Sequence, residues 1–236
     1  MADTSRLELP LVEPAQAQKH VTVNEALTRL DGLVQLVLQS VTTTLPPALA
    51  NGGDCYGVPL GAVNDWAGQE GKIAIYSGGG WTFAPAQTGF RAYIVDQSAH
   101  ASFDGTNWSA GAAATSANGA AIIQEVIEID HVIGAGATSD VIAALPANAV
   151  VYGITGRVLA EITGTLTSFR IGVSGSDNRY GSGLGLSTGS WLRGLTGTPL
   201  TYYSPEDLIL TGEGGDFAGG TLRIAVHLLR LTLPSE

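Results

Sequence analysis

Beyond Gln124 the long apolar stretches of this chain alternate with a period of two, and only a strand with one buried face satisfies that pattern. In Gln124–Asp130, Val126, Glu128 and Asp130 alternate against Ile127 and Ile129. Val150–Ile162, Leu166–Val173 and Asp207–Thr211 read as further strands. In Thr221–Leu233, Leu222, Ile224, Val226 and Leu228 share one face. The parity then switches to Leu229, Leu231 and Leu233, which predicts a β-bulge at the switch. Glycine (32 residues), Ser and Thr separate these runs, and charged residues are only 14% of the chain, well below the roughly 25% of an average globular protein. The expectation for residues 122–236 is a β-sandwich of jelly-roll type.

The first half reads differently. Residues 1–14, punctuated by Pro10 and Pro14, alternate Leu7, Leu9 and Leu11 and predict an extended arm that docks on something. Thr22-Val-Asn-Glu25 has the form of a helix-opening capping box. Val23, Ala26, Leu27, Leu30, Leu33, Val34, Val37 and Leu38 follow at helical spacing, which predicts one amphipathic helix over about 23–40. Gly32 lies inside it, at a cost of about 1 kcal/mol relative to alanine. The apolar face is wide enough for packing on its own domain or for a bundle about a symmetry axis. Ile73–Phe83 and Ser102–Trp108 are two glycine-turned hairpins sharing an aromatic-x-Gly-x-x-Trp core, with Phe90–Val95 as a strand between them. Trp66, Trp81 and Trp108 are candidate core anchors. The chain is therefore expected to be mainly β. An anchoring and oligomerisation domain at 1–108 would hold the arm, helix and small β-hairpin fold, a small-residue linker would span 109–121, and the sandwich would follow.

Composition and motifs exclude several functions. The net charge is −10 with no Lys/Arg cluster, which argues against nucleic-acid binding. Cys55 is the single cysteine, so no internal disulfide forms and no CxxC metal pair exists. The opening residues lack signal-peptide order, and no apolar run approaches the ~20 residues of a membrane span. Synthesis and folding in the cytoplasm are expected, without membrane insertion. No nucleophile elbow, zinc-protease motif or Walker loop is present, and no cofactor or metal is expected. His20, His100, His131 and His227 are scattered, and Gly181–Gly185 reads as a turn. Asp177, Glu206, Asp207, Glu213 and Asp216 fall in or beside predicted loops, where two converging carboxylates could serve glycoside hydrolysis.

The segment Ser174–Arg193 joins two strand regions. It mixes Asp177, Arg179, Tyr180, Trp191 and Arg193, with Tyr202 and Tyr203 soon after. Sugars are gripped by aromatic faces together with planar polar groups, and loops on a rigid scaffold commonly carry function. These seven residues are the glycan-binding candidates. The alternative is that Trp191 and the tyrosines are sandwich core or subunit interface.

Gln16-Ala-Gln-Lys-His-Val-Thr-Val-Asn-Glu-Ala-Leu27, with Leu30-Asp31 and Gln35 downstream and the Trp66-Ala-Gly and Gly79–Phe83 elements, resembles a domain family of phages and gene transfer agents of alphaproteobacteria. The resemblance covers roughly residues 6–108. It implies a non-enzymatic spike or fibre protein on the virion surface that engages capsular polysaccharide of a host cell. Gln18, Lys19, His20, Asn24, Glu25, Leu27 and Leu30 would then serve anchoring and assembly. The implied partners are other virion proteins and further copies of the chain, with a trimer favoured and a pentamer possible. Pro199–Gly212 and Gly219–His227 resemble the sandwich at the tips of such fibres. Two alternatives stay open: a purely structural vertex or spike-base component, and a capsule depolymerase.

Overall fold

A computed structural model describes residues 2–12 and 19–234. The protein is mainly β and forms two compact units that divide between Gly119 and Ala120.

In the first unit a helix, α1 (Lys19–Leu33), precedes eight short strands. These are β1 (Val37–Leu38), β2 (Cys55–Gly57), β3 (Lys72–Ser77), β4 (Gly80–Pro85), β5 (Arg91–Ile94), β6 (Ala99–Phe103), β7 (Trp108–Ala110) and β8 (Ala112–Thr115). Seven of them form a sheet in the order β4-β3-β2-β1-β5-β6-β7, with β1 parallel to both its neighbours. Leu38, Cys55, Ile73, Ile75 and Ile94 are its buried core. Both expected hairpins are present, β3–β4 and β6–β7. Gly78 and Gly79, at φ 60° and 84°, make the turn of the first, a conformation that favours glycine. Trp66 is fully buried and packs edge-on against Trp81, with ring centroids 5.1 Å apart. Trp108 is half-buried against Phe103.

The helix departs from expectation at both ends. It already runs from Lys19, so Thr22 lies within it and cannot be its cap, and the Glu25 carboxylate pairs instead with Arg29 one turn on at 2.7 Å. It stops at Leu33 rather than near Ser40. Gln35 takes a left-handed conformation (φ 50°), and Val37–Leu38 enters the sheet between β2 and β5. There its backbone bonds to β2 and β5 replace those that helix continuation would have made within the helix. Gly32 also has a packing reason. A Cβ at that position would lie 2.6 Å from Cδ1 of Ile75, so the missing side chain is what lets α1 lie on β3.

The N-terminal arm docks on this helix. Asp31, 3% exposed, accepts hydrogen bonds from the Thr4 hydroxyl (2.8 Å), the Arg6 amide (3.1 Å) and the Leu7 amide (2.6 Å). The Arg6 guanidinium donates to the carbonyls of Asp31, Gly32 and Gln35. It thereby caps a helix end whose carbonyls lack partners within the helix and whose dipole favours a cation. The Asn24 amide brackets the arm further along, accepting from the Val12 N–H and donating to its C=O.

The segment expected to be a linker, 109–121, is in part strand, because β7 and β8 take up 109–110 and 112–115. Small side chains do not prevent strand pairing, since backbone groups make the ladder.

The second unit has eight strands: β9 (Ala121–Val132), β10 (Thr138–Leu145), β11 (Ala149–Gly164), β12 (Ser168–Val173), β13 (Ser176–Leu184), β14 (Trp191–Tyr202), β15 (Glu206–Glu213) and β16 (Phe217–Leu231). One sheet runs β10-β15-β12-β13 and the other contains β14-β11-β16-β9, all antiparallel. This interleaved order is that of a jelly roll. Val151, Ile154, Val158, Leu222, Ile224, Val226 and Leu228 from one sheet meet Phe169, Ile171, Leu208 and Leu210 from the other in a single core. The expected bulge exists but lies in β11. Val151 faces Leu228 and Gly153 faces His227, so Tyr152 is the extra residue. Strand β16 keeps its register against β9 without a slip through Leu231, and Leu231 and Leu233 are exposed rather than turned inward. β13 and the start of β14 are strands where a connecting segment and a turn were expected, including the whole of Gly181–Leu184, and β10 is a strand without a counterpart in the sequence reading.

Replacing Asp31 by Ala strands the Thr4, Arg6 and Leu7 donors and is expected to destabilise the first unit by about 3 kcal/mol. A urea unfolding midpoint, followed by tryptophan fluorescence, that matches wild type would remove Asp31 from its role as the hub of the arm.

Candidate functional site

The seven glycan candidates do not form one loop. The structure places Arg179, Tyr180 and Tyr202 in one cluster and Trp191 and Arg193 in a pair, with Asp177 and Tyr203 apart from both. Asp177 is ion-paired with Arg170 of β12 at 2.8 Å. Arg179 donates to the Tyr202 hydroxyl at 3.3 Å, and the Tyr180 and Tyr202 hydroxyls are 2.8 Å apart. Tyr180 is 2% exposed and forms part of the sandwich core, so it is corrected from ligand contact to core residue. Burial, reinforced by the bond to Tyr202, pushes its phenol well above the usual range. Tyr203 is exposed and lies just beyond β14. Trp191 and Arg193 stand together on the outer face of the other sheet.

That face carries a groove. Strand alternation builds it: Leu192 points into the core, so Trp191 and Arg193 on either side of it point out. Across the sheet Trp191 faces Arg157, which faces Arg223, which faces Asp130. The next row runs Arg193, Thr155, Ala225, Glu128. All of these except Asp130 line a shallow depression of about 390 Å³. Trp191 is 64% exposed, so it is not the core residue of the alternative reading. The Arg193 guanidinium lies 5.8 Å from the indole centroid, within cation–π range. Arg223 is held by Asp130 in two hydrogen bonds of 2.6 and 2.7 Å and lies 3.5 Å from Glu128. The hydrogen bonds that Arg223 donates hold the Asp130 carboxyl below the usual carboxylate range. Arg157 donates to the Gly189 carbonyl at 3.2 Å. One row further on, the Thr155 hydroxyl and His227 Nε2 are 2.9 Å apart.

The strands are fixed by a close backbone approach. A Cβ on Gly194 would lie 2.1 Å from the Tyr180 carbonyl oxygen, so only glycine lets β13 pass over β14 immediately beside Arg193. Sequence reasoning missed Thr155, Arg157, Arg223 and Glu128. Each sits on the polar phase of a strand, which is a visible signal, but their convergence depends on strand pairing across the sheet.

The loop carboxylates take other roles. Glu213 accepts from the Ser168 hydroxyl (2.6 Å) and the Gly183 amide (2.9 Å), and these bonds hold it below the usual carboxylate range. Asp207 accepts from the Ala143 amide. Among the described residues no three His, Cys, Asp or Glu side chains are grouped to hold a metal ion, and no helix is long and apolar enough to cross a membrane.

Of the assembly candidates, Gln18 and the Lys19 side chain lie outside the described residues. His20 and Leu27 are half-buried, and Leu30 is exposed. Asn24 holds the arm through Val12, and Glu25 pairs with Arg29. Val23, Leu27, Leu30 and Val34, at alternating steps of four, three and four, leave much of their apolar surface open.

Residues 23–109 match the model of a family described as "Protein of unknown function (DUF2793)". The match begins after the Gln16–His20 segment. No curated protein matches the chain. A solved structure titled "Cyanophage Pam1 capsid asymmetric unit" is similar at 21% identity over 47% of this chain and 84% of that one, with a TM-score of 0.31. A likeness at that level carries no argument about fold or role.

The Cys55 thiol is buried and directed at the Gly53 and Gly32 carbonyls. Burial pushes it up to about 11 from 9.0. The stability that follows from the raised value is complete below the ordinary thiol range and is lost as the pH climbs through about 11. The native protein is expected to be inert to a thiol-reactive disulfide at pH 8 and to react after denaturation. Cys55→Ala should flatten the alkaline fall in stability, leaving the part due to Tyr56, whose phenol is also raised by burial. Rapid labelling of the folded protein would contradict the buried thiol.

Proposed function

We propose that this chain is a non-enzymatic spike or fibre component of a phage-like particle, in which the jelly-roll unit holds a polysaccharide on the surface of the cell to be entered. The observation that carries the ligand half of this reading is the exposed indole of Trp191 on a rigid sheet face, with Arg157, Arg193 and Thr155 around it. An aromatic plane ringed by planar polar groups matches a pyranose, which has an apolar C–H face and an equatorial belt of hydroxyls. The virion half rests on the resemblance carried by Gln16–Leu27 and the elements downstream of it. In this reading the protein folds in the cytoplasm and acts on the virion surface alongside other virion proteins.

Assembly of several copies is the natural complement. A shallow groove gives weak attachment, and many identical grooves on one particle raise the effective affinity without new contacts. Exposed Val23 and Leu30 on α1 and Val34 just past its end, with half-buried Leu27 between them at coiled-coil spacing, support self-association, with a trimer favoured. The rival depolymerase reading needs a carboxyl group held protonated as an acid. Glu213 is shifted in the opposite direction, and Asp177 is neutralised by Arg170.

Two measurements test this. Light scattering at micromolar concentration should return a multiple of the chain mass; a monomer would end the assembly half. On immobilised bacterial surface polysaccharides, Trp191→Ala should bind at least about fivefold more weakly, corresponding to roughly 1 kcal/mol for a lost aromatic contact. Its unfolding midpoint should stay at the wild-type value, because the side chain lies outside the core. Undiminished binding by the folded variant would move the site away from this face.

A further inference from the structure

We infer that the ligand of the Trp191 groove is an acidic polysaccharide whose carboxylates are taken by Arg157 and Arg193. The inference rests on the glycan reading above and specifies its chemical class.

The protein as a whole carries a net charge of −10 and only 11 basic residues. Three of its arginines nevertheless line one depression. Their states differ. Arg223 is fully engaged, held by Asp130 through both carboxylate oxygens and approached by Glu128. Its role is to shape the floor and to hold those two acids. Arg157 and Arg193 have no carboxylate within ion-pair reach among the described residues. Arg157 spends one N–H on the Gly189 carbonyl, and Arg193 rests on the Trp191 ring. Two guanidinium groups therefore keep most of their donors for an incoming group. A guanidinium presents its donors as a planar fork that matches a carboxylate in a two-bond geometry.

Their placement suits a chain of sugars. Arg157 faces Trp191, and Thr155 faces Arg193, so Arg157 and Arg193 are diagonal neighbours on adjacent strands. Such diagonal positions lie about 7–8 Å apart at the backbone, within reach of long side chains. One acidic residue stacked on Trp191 has both guanidiniums in range. Glu128, on β9 at the far end of the row, meets Arg223 through one carboxylate oxygen and keeps the other as an acceptor for hydroxyls of the neighbouring sugar. The surrounding negative protein then contributes selectivity: an acidic polymer that misses the groove is repelled by the rest of the surface.

The test uses the full-length protein with polygalacturonate, alginate and hyaluronan, each compared with its carboxyl-reduced, neutral form, and with dextran and dextran sulfate. Binding to at least one carboxylated polymer is expected, weakened at least tenfold by carboxyl reduction and by Arg157→Gln/Arg193→Gln, and weakened by rising salt. Trp191→Ala should weaken the same binding, while the arginine double variant keeps the wild-type unfolding midpoint. If binding survives carboxyl reduction and the double variant but is lost in Trp191→Ala, the glycan reading stands and the acidic class is wrong. Binding to dextran sulfate with none to the carboxylated polymers also overturns the carboxylate assignment. If no polymer binds, acidic or neutral, both the class and the glycan reading fall.

Discussion

The alternation of β11 over Ile154–Val158, of β14 over Trp191–Gly194 and of β16 over Leu222–Leu228 is the constraint on which the jelly-roll unit and its groove both depend. Ile154, Val158, Leu192, Leu222, Ile224 and Val226 must point inward to close the core against Phe169, Ile171, Leu208 and Leu210. Each such side chain contributes about 1.5–3 kcal/mol by leaving water. Once these positions are committed, Trp191, Arg193, Arg157 and Arg223 have no inward option. Nothing in the groove has to be stabilised on its own account. It is the obverse of the core, and its residues can be chosen for what they touch outside. The Tyr152 bulge belongs to the same logic. It inserts one residue in β11, so that Val151 before it and Ile154 after it both face the core although their parity differs.

The first unit rests on a polar device. Asp31 is a buried carboxylate at the C-terminal end of a helix, where the helix dipole disfavours it. It is tolerated because Thr4, Arg6 and Leu7 bring donors to it and the Arg6 guanidinium lies over the neighbouring carbonyls. The arm is thereby ordered by the helix, and the helix end is closed by the arm. Gly32, one residue on, lets the helix sit against Ile75. Asp31 and Gly32 thus do opposite work on neighbouring positions: one gathers the arm, and the other removes bulk from the sheet side.

How far these features could be read in advance follows from what each depends on. The strands β9, β11, β12, β15 and β16 were legible because one buried face imposes alternation on the sequence. The glycine hairpins β3–β4 and β6–β7 were legible because a left-handed turn narrows the choice of residue. β13 and β14 were hidden: Gly181–Gly185 read as a turn and Ser174–Arg193 as a connection, and Gly194 gives no sign in sequence of the close crossing of backbones it allows. The helix was found but misplaced, since the same apolar spacing continued into Val37–Leu38, where pairing with β2 and β5 wins over helix continuation. Trp191 and Arg193 were identified by type. Arg157 and Arg223 were not, because residues separated by more than thirty positions meet only through the pairings of β11 with β14 and β16.

The placement of the groove bears on what it can do. Trp191, Arg193, Arg157 and Arg223 project from paired strands, so their backbone positions are set before any ligand arrives and little ordering entropy is spent on binding. A flat, open face cannot enclose a sugar, so the affinity of one copy is limited to a few stacked and charge-assisted contacts. Such a site is poorly suited to chemistry, which needs water excluded and a protonation state tuned. It is well suited to repeated, reversible attachment by many copies, in which each contact is individually dispensable. In the proposed spike, the open α1 face and the Trp191 face have complementary tasks: one multiplies the copies, and the other makes each copy a weak, rigid, charge-selective foothold.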